Sequence, residues 1–100
     1  MDLTTEQHPR LRSWDLRYFL TLTIAERGVT TVRELVAALD REGFAVAGRP
    51  SKTISDTLRH EVAKGRVIRV ARGRYARGWI PRSTEYRMRQ RVMAYRDRAA

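Results

Sequence analysis

Cysteine is missing from this 100-residue chain, which excludes disulfides and thiolate metal sites and fits a reducing cytosol. Long apolar runs are missing too. No run of about eighteen apolar residues, the length that crosses a membrane, occurs, and the opening MDLTTEQHPR is polar and part acidic, unlike a signal peptide. Histidine is confined to His8 and His60. His60 adjoins Glu61, yet neither histidine has a partner at ligand or triad spacing, so both read as surface residues. No P-loop and no G-x-G-x-x-G occurs, and the glycines fall at helix ends and a turn. No catalytic residue, metal site, cofactor or small-molecule ligand is therefore expected, and the chain does not read as an enzyme.

Lysine is almost missing as well: of 21 basic residues only Lys52 and Lys64 are lysine. The formal net charge of +10 is unevenly spread. Residues 1–48 carry six arginines against seven acids, and residues 49–100 carry fifteen basic residues against four acids. The first half reads as a scaffold and the second as an electropositive surface. Arginine suits bidentate phosphate and guanine contacts, although the codon bias of a GC-rich genome produces the same excess. At 100 residues and 42% apolar, one domain with one small core is expected.

Residues 1–12 show no period and contain Pro9, and so predict a loose arm. From Ser13, a candidate N-cap, Leu16, Phe19, Leu20, Thr23 and Ile24 form a helical stripe ending at Arg27-Gly28. Trp14, Tyr18 and Leu22 form a second apolar line on the same helix, which needs a second cover. Gly28-Val29-Thr30 has room for one bridging strand. Thr31 and Glu34 make a capping box for a second helix with Val32, Leu35, Val36 and Leu39 inward. Phe44 and Val46 are expected to tuck the following loop into the core.

A third helix follows Pro50, with Ser51 as expected N-cap and Lys64-Gly65 as its end. Ile54, Leu58 and Val62 face inward, leaving Lys52, Ser55, Asp56 and Arg59 outward. An arginine-rich hairpin comes next. With Arg72-Gly73 as a two-residue loop, Val70 faces Tyr75 and Arg69 faces Ala76, so that Ile68, Val70 and Tyr75 point inward while Arg69 and Arg74 point outward. After Pro81 a fourth helix is expected from Ser83 or Thr84. Met88, Val92 and Tyr95 line one face, with Arg87, Arg91 and Arg98 on one flank and Arg89 and Arg96 on the other. That helix can pack on Trp14, Tyr18 and Leu22, pair with its copy in a homodimer, or lie on an anionic membrane. The first two are compatible with each other.

Helix, short strand, helix, helix and basic hairpin over residues 13–78 resembles the winged helix-turn-helix family. The run G-R-V-I-R-V-A-R-G-R-Y resembles HARE-type winged helices and the N-terminal winged helices of some antitoxins. The expected architecture is α+β: an arm at 1–12, a winged helix-turn-helix domain at 13–82, and an added C-terminal helix at 83–100. The resemblance implies binding of double-stranded DNA by a small transcriptional regulator or nucleoid-associated protein of the cytoplasm. Arg49, Ser51, Lys52, Ser55 and Arg59 at the third helix and Arg69, Arg72, Arg74 and Arg77 on the wing are the candidate contacts. The alternatives are a protein-interaction module of the transcription machinery or of a toxin–antitoxin system, with RNA as a third class of partner.

Overall fold

The structure, a computed structural model, describes residues 13–99; the expected arm at 1–12, including His8, and the side chains of Ser13 and Arg98 lie outside that description. The order of elements is α1 (Ser13–Arg27), β1 (Thr30–Thr31), α2 (Val32–Arg41), α3 (Pro50–Ala63), β2 (Val67–Ala71), β3 (Arg74–Arg77) and α4 (Arg82–Ala99). The described residues are thus α+β, with four helices and one antiparallel sheet of order β1-β3-β2. None of the helices is long and apolar enough to cross a membrane.

Helix α1 is central because it is apolar on more than one side. Leu16, Phe19, Leu20 and Ile24 are buried against Leu35 and Leu39 of α2 and Ile54 and Leu58 of α3. Each such side chain removed from water contributes roughly 1.5–3 kcal/mol. Leu22, on the second apolar line, is also buried, whereas Tyr18 is half-buried and Trp14 exposed. Helix α4 packs against α1, burying Met88 and Val92 and half-burying Tyr95. The loop after α2 is held by Phe44, whose ring meets Phe19 edge-on at 5.7 Å and Tyr95 at 6.4 Å; Val46 is half-buried.

The capping box forms: Glu34 N–H donates to Thr31 Oγ1 at 3.1 Å, and Thr31 N–H to Glu34 Oε1 at 2.9 Å. The hydrogen bonds from Thr31, its backbone N–H first, hold the Glu34 carboxyl below its ordinary value. At α3 the expected cap is corrected. Arg49 occupies the N-cap without a side-chain hydrogen bond, Pro50 takes the first helical position, and Ser51 lies inside the first turn. Proline there has no N–H to satisfy and a backbone already set for helix. Helix α4 begins at Arg82, immediately after Pro81.

The hairpin register is also corrected. Arg72-Gly73 is the loop, but only Gly73 has positive φ, at 68°. A type I′ turn needs positive φ at both loop residues and type II′ at the first, so neither forms. The mismatch is absorbed by a bulge at Val70: Ala71 pairs with Arg74, Arg69 with Tyr75 and Ile68 with Ala76. Val67 and Tyr75 are the buried residues of the hairpin, and Ile68 and Val70 are exposed.

The base of the hairpin is stitched to the end of α3 by Gly78 N–H to Arg66 C=O and Trp79 N–H to Gly65 C=O, both 2.9 Å. A Cβ at position 78 would run into the Gly65 carbonyl oxygen and meet the Arg66 carbonyl carbon at 2.9 Å. Both obstacles are backbone. Gly78→Ala is therefore expected to cost about 1–3 kcal/mol or more, read as a lower urea midpoint; an unchanged midpoint would show that this junction yields easily.

Candidate nucleic-acid interface

Between α3 and the hairpin lies a groove of about 460 Å³ lined by Ser55, Arg59, Val62, Arg69, Arg72, Gly73 and Tyr75. Ser55, Arg59 and Val62 share one side of α3 because they are spaced four and three residues apart. The bulge at Val70 puts Arg69 opposite Tyr75 and on the same side of β2 as Val67, so Arg69 faces α3 and not outward as its sequence spacing suggested. Arg72 is carried at the loop. The hairpin tip is held as well, since Val32 N–H donates to Gly73 C=O at 3.0 Å and β1 pairs with β3 through Thr30–Tyr75 and Thr31–Arg74. Three arginines and no carboxylate line the groove, and Val62 and Tyr75 give it an apolar floor.

Charge separates the expected site residues into two groups. Arg69 and Arg72 form no ion pair with any described residue, and Arg49 and Arg74 are exposed. Arg77 is instead taken up by Glu85 at 2.7 Å, a bond that raises the Arg77 pKa and lowers that of Glu85. Lys52 donates to Asp56 at 2.7 Å and so depresses the aspartate, while Arg59 approaches the same carboxylate at 3.8 Å. Lys52, Asp56 and Arg59 form an exposed charged row along α3, with the Arg59 side chain 82% accessible. Ser51 near the start of α3 and His60 near its end are both exposed, outside the groove lining.

The arginines of α4 are largely consumed inside the fold. Arg91 donates to Asp15 at 2.7 Å, which raises the arginine pKa; Arg89 reaches Glu26 at 3.0 Å, and Arg96 reaches Glu42 at 3.0 Å. Tyr95 donates to the other oxygen of Asp15. The acids of the first half and the arginines of the last helix thus hold one another.

Sequence spacing placed Asp56 on the outward face of α3 but pointed neither to Tyr75 as part of this groove nor to Glu61 as its support. Glu61 is 0% exposed, accepts from Arg66 Nη2 at 2.6 Å and Nε at 3.0 Å and from Thr21 Oγ1 at 2.7 Å, and lies 3.8 Å from Arg17. Its sequence signal was an acid three residues after Leu58 and seven after Ile54, on the inward side of the helix. Among the described residues no group of three or more His, Asp or Glu side chains could hold a metal ion. Comparison with protein-family models, curated proteins and solved structures finds no match.

Removing one partner of a buried ion pair leaves the others uncompensated, at about 3–5 kcal/mol. Glu61→Ala is accordingly expected to destabilise the chain by that amount in urea unfolding. A loss below 1 kcal/mol, roughly what an exposed pair is worth, would contradict a central role for Glu61.

Proposed function

We propose that this chain is a winged-helix protein that binds double-stranded DNA, with α3 in the major groove and the β2–β3 hairpin as the wing. The order of elements and the three-stranded sheet are compatible with that family. The observation that carries the reading is the groove where Arg59, Arg69 and Arg72 converge: Arg69 and Arg72 form no ion pair with a described residue, and Arg59 meets only its helix neighbour Asp56, at 3.8 Å. A solvated decorative charge run pairs with nearby acids, as the arginines of α4 do. Cations gathered without acids are suited to phosphates, whose condensed counterions they displace on binding.

In this mechanism Lys52, Ser55 and Arg59 face base edges and adjacent phosphates, and Arg49 holds the backbone where α3 begins. Arg69, Arg72 and Arg74 contact flanking phosphates or a narrow minor groove. Arg77, engaged by Glu85, serves the junction between hairpin and α4. Asp56 sits within the α3 row, where a carboxylate repels phosphate but can accept from a cytosine amino group. The role is that of a small regulator or nucleoid-associated protein.

Affinity for random duplex should fall with salt, each phosphate contact releasing about 0.9 counterion. Arg72→Ala is expected to lower that slope by about one unit, and Arg96→Ala, whose guanidinium is held by Glu42, to leave it unchanged. Equal slopes for the two variants, or no binding at low salt, contradict the proposal and favour a protein partner. On a selected site Arg59→Ala should cost about 1–3 kcal/mol, and much less on random DNA. Equal losses on both would make α3 a phosphate binder that reads no sequence.

A further inference from the structure

Helix α4 has a second face that its packing on α1 leaves uncovered. Met88 and Val92 are buried inside the chain, so they cannot also hold a partner. On the far side Tyr86, Gln90, Met93, Ala94 and Asp97 are exposed, Tyr86 by 64% and Met93 by 50%. Their spacing of four, three or four, and four or three residues keeps them on one stripe of the helix. Beside that stripe runs a groove of about 680 Å³ lined by Tyr18, Tyr86, Arg87, Gln90, Arg91 and Ala94.

We infer that this stripe is the seam of a homodimer in which two copies of α4 pack antiparallel about a two-fold axis at Gln90. In that register the stripe is complementary to itself. Gln90 meets Gln90 at the axis, where two side-chain amides can exchange hydrogen bonds. Tyr86 falls opposite Ala94, a large ring over a small side chain that forms a wall of the groove beside Tyr18. Met93 falls opposite the aliphatic stem of Arg87. Asp97 falls opposite Ser83, next to Arg82 and one turn from Arg87, so the single exposed acid of the stripe lands among the partner's cations. Two-fold symmetry makes every one of these contacts twice. The helix is about 27 Å long, sufficient for all of them. The seam shares no lining residue with the groove between α3 and the hairpin, so the inference stands apart from the DNA reading.

Sedimentation of the full chain tests it at moderate salt, which screens repulsion between two chains of charge +10. The wild type is expected to dimerise, and Tyr86→Glu or Ala94→Glu to weaken the dimer roughly tenfold or more while helix content by circular dichroism stays the same. Because the chain has no cysteine, Gln90→Cys is expected to form a covalent dimer on mild oxidation. The exposed Arg33→Cys on α2 is expected not to do so. A wild type that sediments as a monomer at high concentration overturns the inference. So does a dimer that Tyr86→Glu leaves intact, or Gln90→Cys cross-linking no faster than Arg33→Cys.

Discussion

The fold and its candidate site both hang on one buried carboxylate. Taking a lone carboxylate out of water is prohibitive, so Glu61 exists at 0% exposure only because its oxygens are occupied. Arg66 grips it with two nitrogens, Thr21 donates a hydroxyl, and Arg17 stands 3.8 Å away, stacked over the Trp14 ring at 4.7 Å. Those residues belong to α1, α3 and the turn just before β2. One side chain therefore fixes the angle at which the hairpin leaves α3. Were that angle free, Arg69 and Arg72 would not be held opposite Ser55 and Arg59, and the groove would have to be assembled at an entropic cost each time a ligand bound.

The same logic of satisfied charge explains why the two halves of the chain differ so much. Fifteen basic residues follow position 48, but Arg66, Arg77, Arg89, Arg91 and Arg96 have carboxylate partners in the fold, and Lys52 and Arg59 share Asp56 on α3. Asp15, Glu26 and Glu42 of the first half are answered by α4, which brings opposite charges from distant parts of the chain together. The exposed Glu26 and Glu42 pairs are each worth less than about 1 kcal/mol, whereas Asp15 is buried and holds both Arg91 and Tyr95; together these contacts set the register of α4 on α1. What remains outside this pairing at α3 and the hairpin is a smaller and more local charge than the net of +10 suggests, and it is the part available to a polyanion.

The helices were legible in the sequence because their signals are local. The period of Leu16, Phe19, Leu20 and Ile24, the Thr31–Glu34 box and the positive-φ Gly65 each depend on neighbours within one or two turns. The bridging strand at Thr30 was legible for the same reason. The hairpin faces were not. A bulge at Val70 shifts pairing by one residue, and in a strand that reverses which side chains are inside, burying Val67 and exposing Ile68. The choice turned on the φ of Arg72, which composition does not encode. Ser51 was misplaced as a cap because Pro50 fits the first helical position so well that the cap moved two residues back, to Arg49. The partners of Glu61 and of the α4 arginines lie up to 76 residues away, as for Arg91 and Asp15, beyond anything a local pattern reports.

On the proposed DNA-binding reading, arginines held by carboxylates of other elements build the fold, and those around the groove between α3 and the hairpin, of which Arg59 meets only its helix neighbour Asp56, face the duplex. Titrating a short DNA duplex into isotope-labelled protein and following backbone and arginine side-chain resonances addresses it residue by residue. The account predicts that shifts concentrate at Ser55, Arg59, Arg69 and Arg72, while Arg89, Arg91 and Arg96 keep the positions they have in the unbound chain. Shifts centred on α4, or spread evenly over every arginine, would contradict it.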